Sequence, residues 1–70
     1  MKRREVIKRI ADEAKTQGKE FFTVELTRHT GIVVDGFRST LGRHAEIPEQ
    51  TARSFFKQFE GVLGEGWWRR

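Results

Sequence analysis

Two histidines, His29 and His44, are the only side chains in the chain that titrate near neutral pH without special tuning. There is no cysteine, which excludes a thiol nucleophile, a disulfide and any Cys-based zinc or iron–sulfur site. The two histidines flank an expected hairpin rather than matching a standard zinc spacing, so no metal or other cofactor is expected. Gly64-Glu65-Gly66 is too short and too late in the chain to cradle a phosphate ahead of a helix. Ser39 and Ser54 fall at core-facing or helical positions, which serves a Ser-His-acid triad poorly. What one exposed histidine does well is move protons. RNA brings its own nucleophile, the 2′-hydroxyl. A protein that cleaves it must take that proton, protonate the leaving oxygen and stabilise the charged phosphorane. Histidine contributes about 10²–10⁴-fold to such a step, and an arginine beside it holds phosphate through paired donors. Arg38 is the candidate for that role.

Pairing of the strands determines whether these groups meet. Asp35-Gly36 between two β-type runs predicts a two-residue type I′ turn, since both positions need positive φ. That turn places Val34 opposite Phe37, Ile32 opposite Ser39 and Thr30 opposite Leu41, on one apolar face. The other face then holds Val33 opposite Arg38, Gly31 opposite Thr40, and His29 near Gly42. His29, Arg38 and Thr40 are therefore expected to share the face turned away from the helices.

The remaining elements follow from periodicity. Val6, Ile7, Ile10, Ala11 and Ala14 recur on one side of a helix from Lys2 to Gln17, with Gly18 as its terminator. Phe21 to Leu26 alternates and reads as a first strand, with Phe22, Val24 and Leu26 toward the core and Thr23 and Glu25 away from it. Strands over Thr30 to Val34 and Phe37 to Leu41 follow, then a loop from Gly42 to Ile47. Pro48 opens a last helix whose apolar stripe is Ala52, Phe55, Phe56, Phe59, Val62 and Leu63. Gly61 weakens its final turn and Gly64 ends it. Trp67 and Trp68 are expected to fold back and extend a small core, with base stacking as the functional alternative. The order is αβββα. The simplest packing is an α+β domain with two helices on one face of a three-stranded antiparallel sheet.

Seventy residues make a single domain, residues 1–70, whose core supplies about 3–5 kcal/mol of net stability. The formal charge is +4 and the isoelectric point about 10.1. Five of the fourteen Lys and Arg residues are Lys2, Arg3, Arg4, Lys8 and Arg9. This balance suits a polyanionic partner and equally suits a solvated helix face. No apolar run is long enough to cross a bilayer, so no membrane association is expected. Met1-Lys2-Arg3-Arg4 has no apolar segment behind it and does not resemble a secretory signal. A cytoplasmic protein is the expectation.

Over nearly its full length the chain resembles the HicA family of mRNA interferase toxins. The resemblance is carried by Met1-Lys2-Arg3-Arg4-Glu5-Val6-Ile7, by His29 at a hairpin, and by Arg43-His44-Ala45-Glu46-Ile47. Thr51-Ala52-Arg53-Ser54 and the ending Leu63-Gly64-Glu65-Gly66-Trp67-Trp68-Arg69-Arg70 add to it. No single motif is specific; their order and spacing carry the similarity. The resemblance implies a double-stranded-RNA-binding-like fold and a toxin-type endoribonuclease that cleaves mRNA, with a HicB-like antitoxin as protein partner. It implies that His29 matches the family's catalytic histidine and His44 its second histidine. The chain departs from the family in two places. Thr27-Arg28-His29 stands where the family has Gly-Ser-His or Gly-Thr-His, and Gly42 stands where it tends to have proline. Arg28 adds a candidate phosphate contact. Arg38, Arg43, His44, Lys2, Arg3, Arg4 and Lys8 complete the expected RNA-binding set, Arg9 and Arg53 being further candidates. The alternatives are a non-catalytic RNA-binding module on the same fold and a protein-interaction domain using the open sheet face. With His29 as the evident base, Glu25, His44 and water are all candidates for the general acid.

Overall fold

Helix α1 spans Arg3–Thr16 and turns Val6, Ile10 and Ala14 inward. At its start the Arg3 N–H donates to the Ala45 carbonyl outside the helix at 3.0 Å, and Glu5 in the first turn accepts the Lys2 N–H at 3.3 Å. At the other end Gly18 adopts φ +70°, and the bonds from the Gly18 N–H to Lys15 and the Lys19 N–H to Ala14 close a Schellman motif. The computed structural model describes residues 1–69. Strands β1 (Phe21–Glu25), β2 (His29–Val34) and β3 (Phe37–Gly42) form an antiparallel sheet in the order β1-β2-β3. Asp35 and Gly36 both have positive φ, as a type I′ turn requires, and β2 pairs with β3 in the register expected from that turn.

Helix α2 (Glu49–Gln58) follows Pro48, and a short α3 (Glu60–Leu63) continues it after an irregular residue, Phe59. Gly64 stops the run at φ 104°. Trp67–Arg69 is a 3₁₀ turn. Inward residues of α1, β2, β3, α2, α3 and the tail make one hydrophobic cluster, so both main helices cover the same sheet face. The molecule is thus an α+β domain with the expected αβββα order, extended by α3 and the tail turn. Trp67 is 3% exposed, stacks edge-on against Phe56 at 5.3 Å and donates its indole N–H to the Phe56 carbonyl. No helix among the described residues is long and apolar enough to cross a membrane.

Strand β1 departs from its sequence pattern. Phe21 pairs with Val34, Thr23 with Ile32 and Glu25 with Thr30. Phe21, Thr23 and Glu25 therefore face the helices, and Phe22 and Val24 face outward, the reverse of what the alternation suggests. Two local restraints override it. The Leu26 N–H bonds the His29 carbonyl across a tight Thr27-Arg28 turn. At the far end Glu20 and Asp35 bond through the Asp35 N–H and through the Asp35 carboxylate. These ends fix the pairing, and one-residue parity then decides the face. Phe22 is left 45% exposed beside Val33.

Candidate active site

His29 opens β2, one residue earlier than the β-branched run alone suggests. Its neighbour Thr30 is 1% exposed on the helix face, so His29 lies on the opposite, open face, where it is exposed. Among the described residues its ring has no hydrogen-bond partner. The expected open face is present: His29 and Gly31 on β2 lie across from Gly42 and Thr40 on β3, with Val33 across from Arg38. Gly31 matters here. A methyl group placed on it would lie 3.6 Å from Arg38 Cδ, so the Arg38 side chain crosses the space above Gly31, toward the His29 end of the sheet. Arg28 sits in the adjoining turn, exposed.

Under the same end of the sheet, cations converge from the start of α1 and from the β3–α2 loop. A groove of about 390 Å³ is lined by Lys2, Arg3, Arg4, Arg43 and Ala45. Arg3 is held from two sides: its Nε donates to the Gly42 carbonyl at 3.2 Å and its Nη2 to the Thr30 hydroxyl. Thr30 in turn donates to the Glu25 carboxylate at 3.1 Å, which also accepts from Arg43 at 2.8 Å. Arg43 reaches the Leu26 carbonyl as well. The arrangement ties α1, both hairpin ends and the β3–α2 loop together beneath His29. Lys2 lies 3.9 Å from Glu46, whose carboxyl is held below its ordinary range chiefly by the hydrogen bond from the Met1 amine, at 2.9 Å. Arg4 is exposed and makes no ion pair among the described residues.

Three expected contacts lie elsewhere. Lys8 is one turn further along α1 and pairs with Asp12 at 2.6 Å. Arg9 is half-buried, donates to the Trp68 carbonyl at 2.6 Å and lies 5.3 Å above the Phe56 ring. Its charge therefore helps dock the tail. Arg53 lines a separate hollow of about 470 Å³ with Arg9, Trp68 and Arg69. Glu25 sits on the helix face, engaged with Arg43, and does not accompany His29. Thr30 is the side chain of this network least visible in sequence, since a threonine in a β-branched run reads as strand; the reversed parity of β1 turns Glu25, a candidate general acid, to the helix face. No three His, Asp or Glu side chains cluster as metal ligands among the described residues.

The geometry offers an exposed imidazole for proton transfer, a guanidinium on the same face to neutralise phosphate, and a basic groove at the same end to follow a polyanionic strand. No protein-family model, curated protein or solved structure matches the chain.

Proposed function

We propose that this chain is a toxin-type mRNA endoribonuclease of the HicA kind, working by histidine acid/base chemistry. The observation that carries the reading is the placement of His29. It is an exposed imidazole with no hydrogen-bond partner among the described residues, beside Arg28 in the adjoining turn and on the same face as Arg38, whose side chain reaches over Gly31, while the Lys2–Arg3–Arg4–Arg43 groove lies under the same end of the sheet. In this reading His29 takes the proton of the RNA 2′-hydroxyl as that oxygen attacks phosphorus. Arg38 approaches the phosphate from the open face. Arg4, Arg28 and Lys2 hold the flanking backbone, without reading its sequence. The αβββα order with both helices on one sheet face supports a double-stranded-RNA-binding-like fold. A HicB-like antitoxin would inhibit by covering the open face around His29.

Induced expression of the parental chain and of His29→Ala, followed by growth and bulk mRNA integrity, tests the proposal in cells. Growth arrest with degraded mRNA for the parental chain alone is the expected result. Arrest by both variants, or by neither, removes it.

One observation favours a second reading, a non-catalytic RNA-binding module. No carboxylate or carbonyl among the described residues orients the His29 ring. Such a module would shift RNA mobility with a steep salt dependence and leave the RNA intact.

A further inference from the structure

Cleavage by a 2′-hydroxyl needs two proton transfers, and His29 accounts for one. We propose that His44 makes the other, as the general acid that protonates the leaving 5′-oxygen. The proposal rests on the ribonuclease reading above and deepens it.

Gly42 carries the geometric case. It follows Leu41, which is buried on the helix face, so its missing side chain would point to the open face. A methyl group placed there would lie 3.4 Å from His44 Cδ2, its one close neighbour beyond the adjoining residues. The His44 ring therefore folds back over Gly42 on the open side of the sheet. His29 is the cross-strand partner of that same glycine. Counting from the hairpin, where Val34 and Phe37 form a hydrogen-bonded pair, His29 and Gly42 fall at a non-hydrogen-bonded pair, the class in which side chains approach more closely. Directly opposed Cβ positions are about 4.5–5.5 Å apart. The two imidazoles are thus neighbours across position 42, where the absence of a side chain leaves room for the His44 ring beside His29. Both are exposed and neither ring is hydrogen-bonded among the described residues.

The competing acids are occupied or elsewhere. Glu25 lies on the helix face with Arg43 and Thr30. Glu46 is held by the Met1 amine. Glu20 and Asp35 are at the opposite end of the sheet. Between His29 and the hairpin the open face carries Phe22, Val24, Val33, Arg38 and Thr40, with no carboxylate.

The chemistry balances without a co-reactant. Neutral His29 accepts the 2′-hydroxyl proton, and the 2′-oxygen bonds to phosphorus. The bond from phosphorus to the 5′-oxygen breaks as the His44 imidazolium gives that oxygen its proton. The products are a 2′,3′-cyclic phosphate and a 5′-hydroxyl, and exchange with solvent restores both rings.

A sulfur-for-oxygen leaving group separates the two roles, because a thiolate departs without a proton. The bond cut by the purified parental protein is mapped first, and one oligonucleotide is then made with sulfur replacing the 5′-oxygen at that bond. His44→Ala is expected to lose at least about 10²-fold on the ordinary linkage and to cut the sulfur linkage within a few-fold of the parental rate. His29→Ala is expected to fail on both. If His44→Ala cuts the ordinary linkage at the parental rate, or loses equally on both linkages, the assignment is overturned. If sulfur rescues His29→Ala instead, the roles are reversed and the assignment again fails. If the parental protein cuts nothing, the ribonuclease reading itself falls and takes this inference with it.

Discussion

The Arg3 guanidinium donates to the hydroxyl of Thr30, joining the first residue of α1 to the second residue of β2. Thr30 is the single buried polar side chain among the described residues, and it lies directly beneath the strand position that presents His29. A buried hydroxyl is costly unless bonded, and this one is bonded twice, to Arg3 and to Glu25. The same guanidinium reaches the Gly42 carbonyl. The end of the sheet that carries the candidate site is thereby fixed from below.

Thr30→Val keeps the shape of this residue and removes its hydroxyl. The substitution leaves Arg3 short of an acceptor and should cost about 1–3 kcal/mol. Urea unfolding followed by tryptophan fluorescence measures it, and the midpoint should fall with an unchanged slope. An unaltered midpoint would show that the Arg3–Thr30 bond contributes nothing to holding the site.

Trp67→Ala removes an indole that is packed on Phe56 and bonded to its carbonyl. Truncating a buried tryptophan costs about 3–5 kcal/mol, comparable to the whole stability of a domain this size. The variant should be largely unfolded at 25 °C, with collapsed amide dispersion in NMR spectra. A well-dispersed spectrum would mean that the tail is dispensable.

Acid should loosen the tail. Glu60 accepts from the Gly66 N–H at 2.9 Å and from the Trp68 indole N–H at 3.0 Å. These bonds, the Gly66 one foremost, hold its carboxyl below the ordinary value of 4.5. A carboxylate with a lowered folded value adds stability above pH 4.5, and that stability is lost as pH falls through the folded value. Thermal midpoints should therefore drop on acidification below pH 4.5, and less steeply in Glu60→Gln, which keeps the acceptor and loses the charge. Parallel acid profiles for the two proteins would assign the drop to other groups.

The two cations on α1 should behave differently toward RNA. Arg4 lines the groove and makes no ion pair among the described residues, whereas Lys8 is paired with Asp12 outside it. Arg4→Ala should weaken binding to unrelated RNAs alike and lower the slope of log affinity against log salt by about 0.7–0.9. Lys8→Ala should leave the slope unchanged. Equal effects would turn the basic face of α1 into a diffuse cationic surface without a groove-bound path.

Much of the site's frame was legible in the chain because it is set by short-range chemistry. Asp35-Gly36 requires positive φ at both positions, and from that turn the pairing of β2 with β3 and the shared face of His29, Arg38 and Thr40 follow by counting. Gly18 and Gly64 end their helices for the same local reason. Strand β1 defies its alternation because the more apolar set, Phe22 and Val24, faces out while Phe21, Thr23 and Glu25 face the helices. The alternation points Phe22 and Val24 inward, and the hydrogen bonds at the strand's two ends override it. Arg3 and Arg9 read as two more cations of a basic segment, and nothing local reveals that one anchors a threonine and the other the tail. The placement of His44 over Gly42 was equally hidden, since it depends on a loop folding back onto a strand.

The central claim is that the His29 imidazole transfers a proton during RNA cleavage, and purified protein tests it most directly. Parental protein and His29→Ala, each shown to be folded by circular dichroism, are incubated with the same mRNA transcript, and initial cleavage rates are compared. The account predicts cutting by the parental protein and a loss of at least about 10²-fold in the variant. Equal rates, or an intact transcript with both, would contradict it.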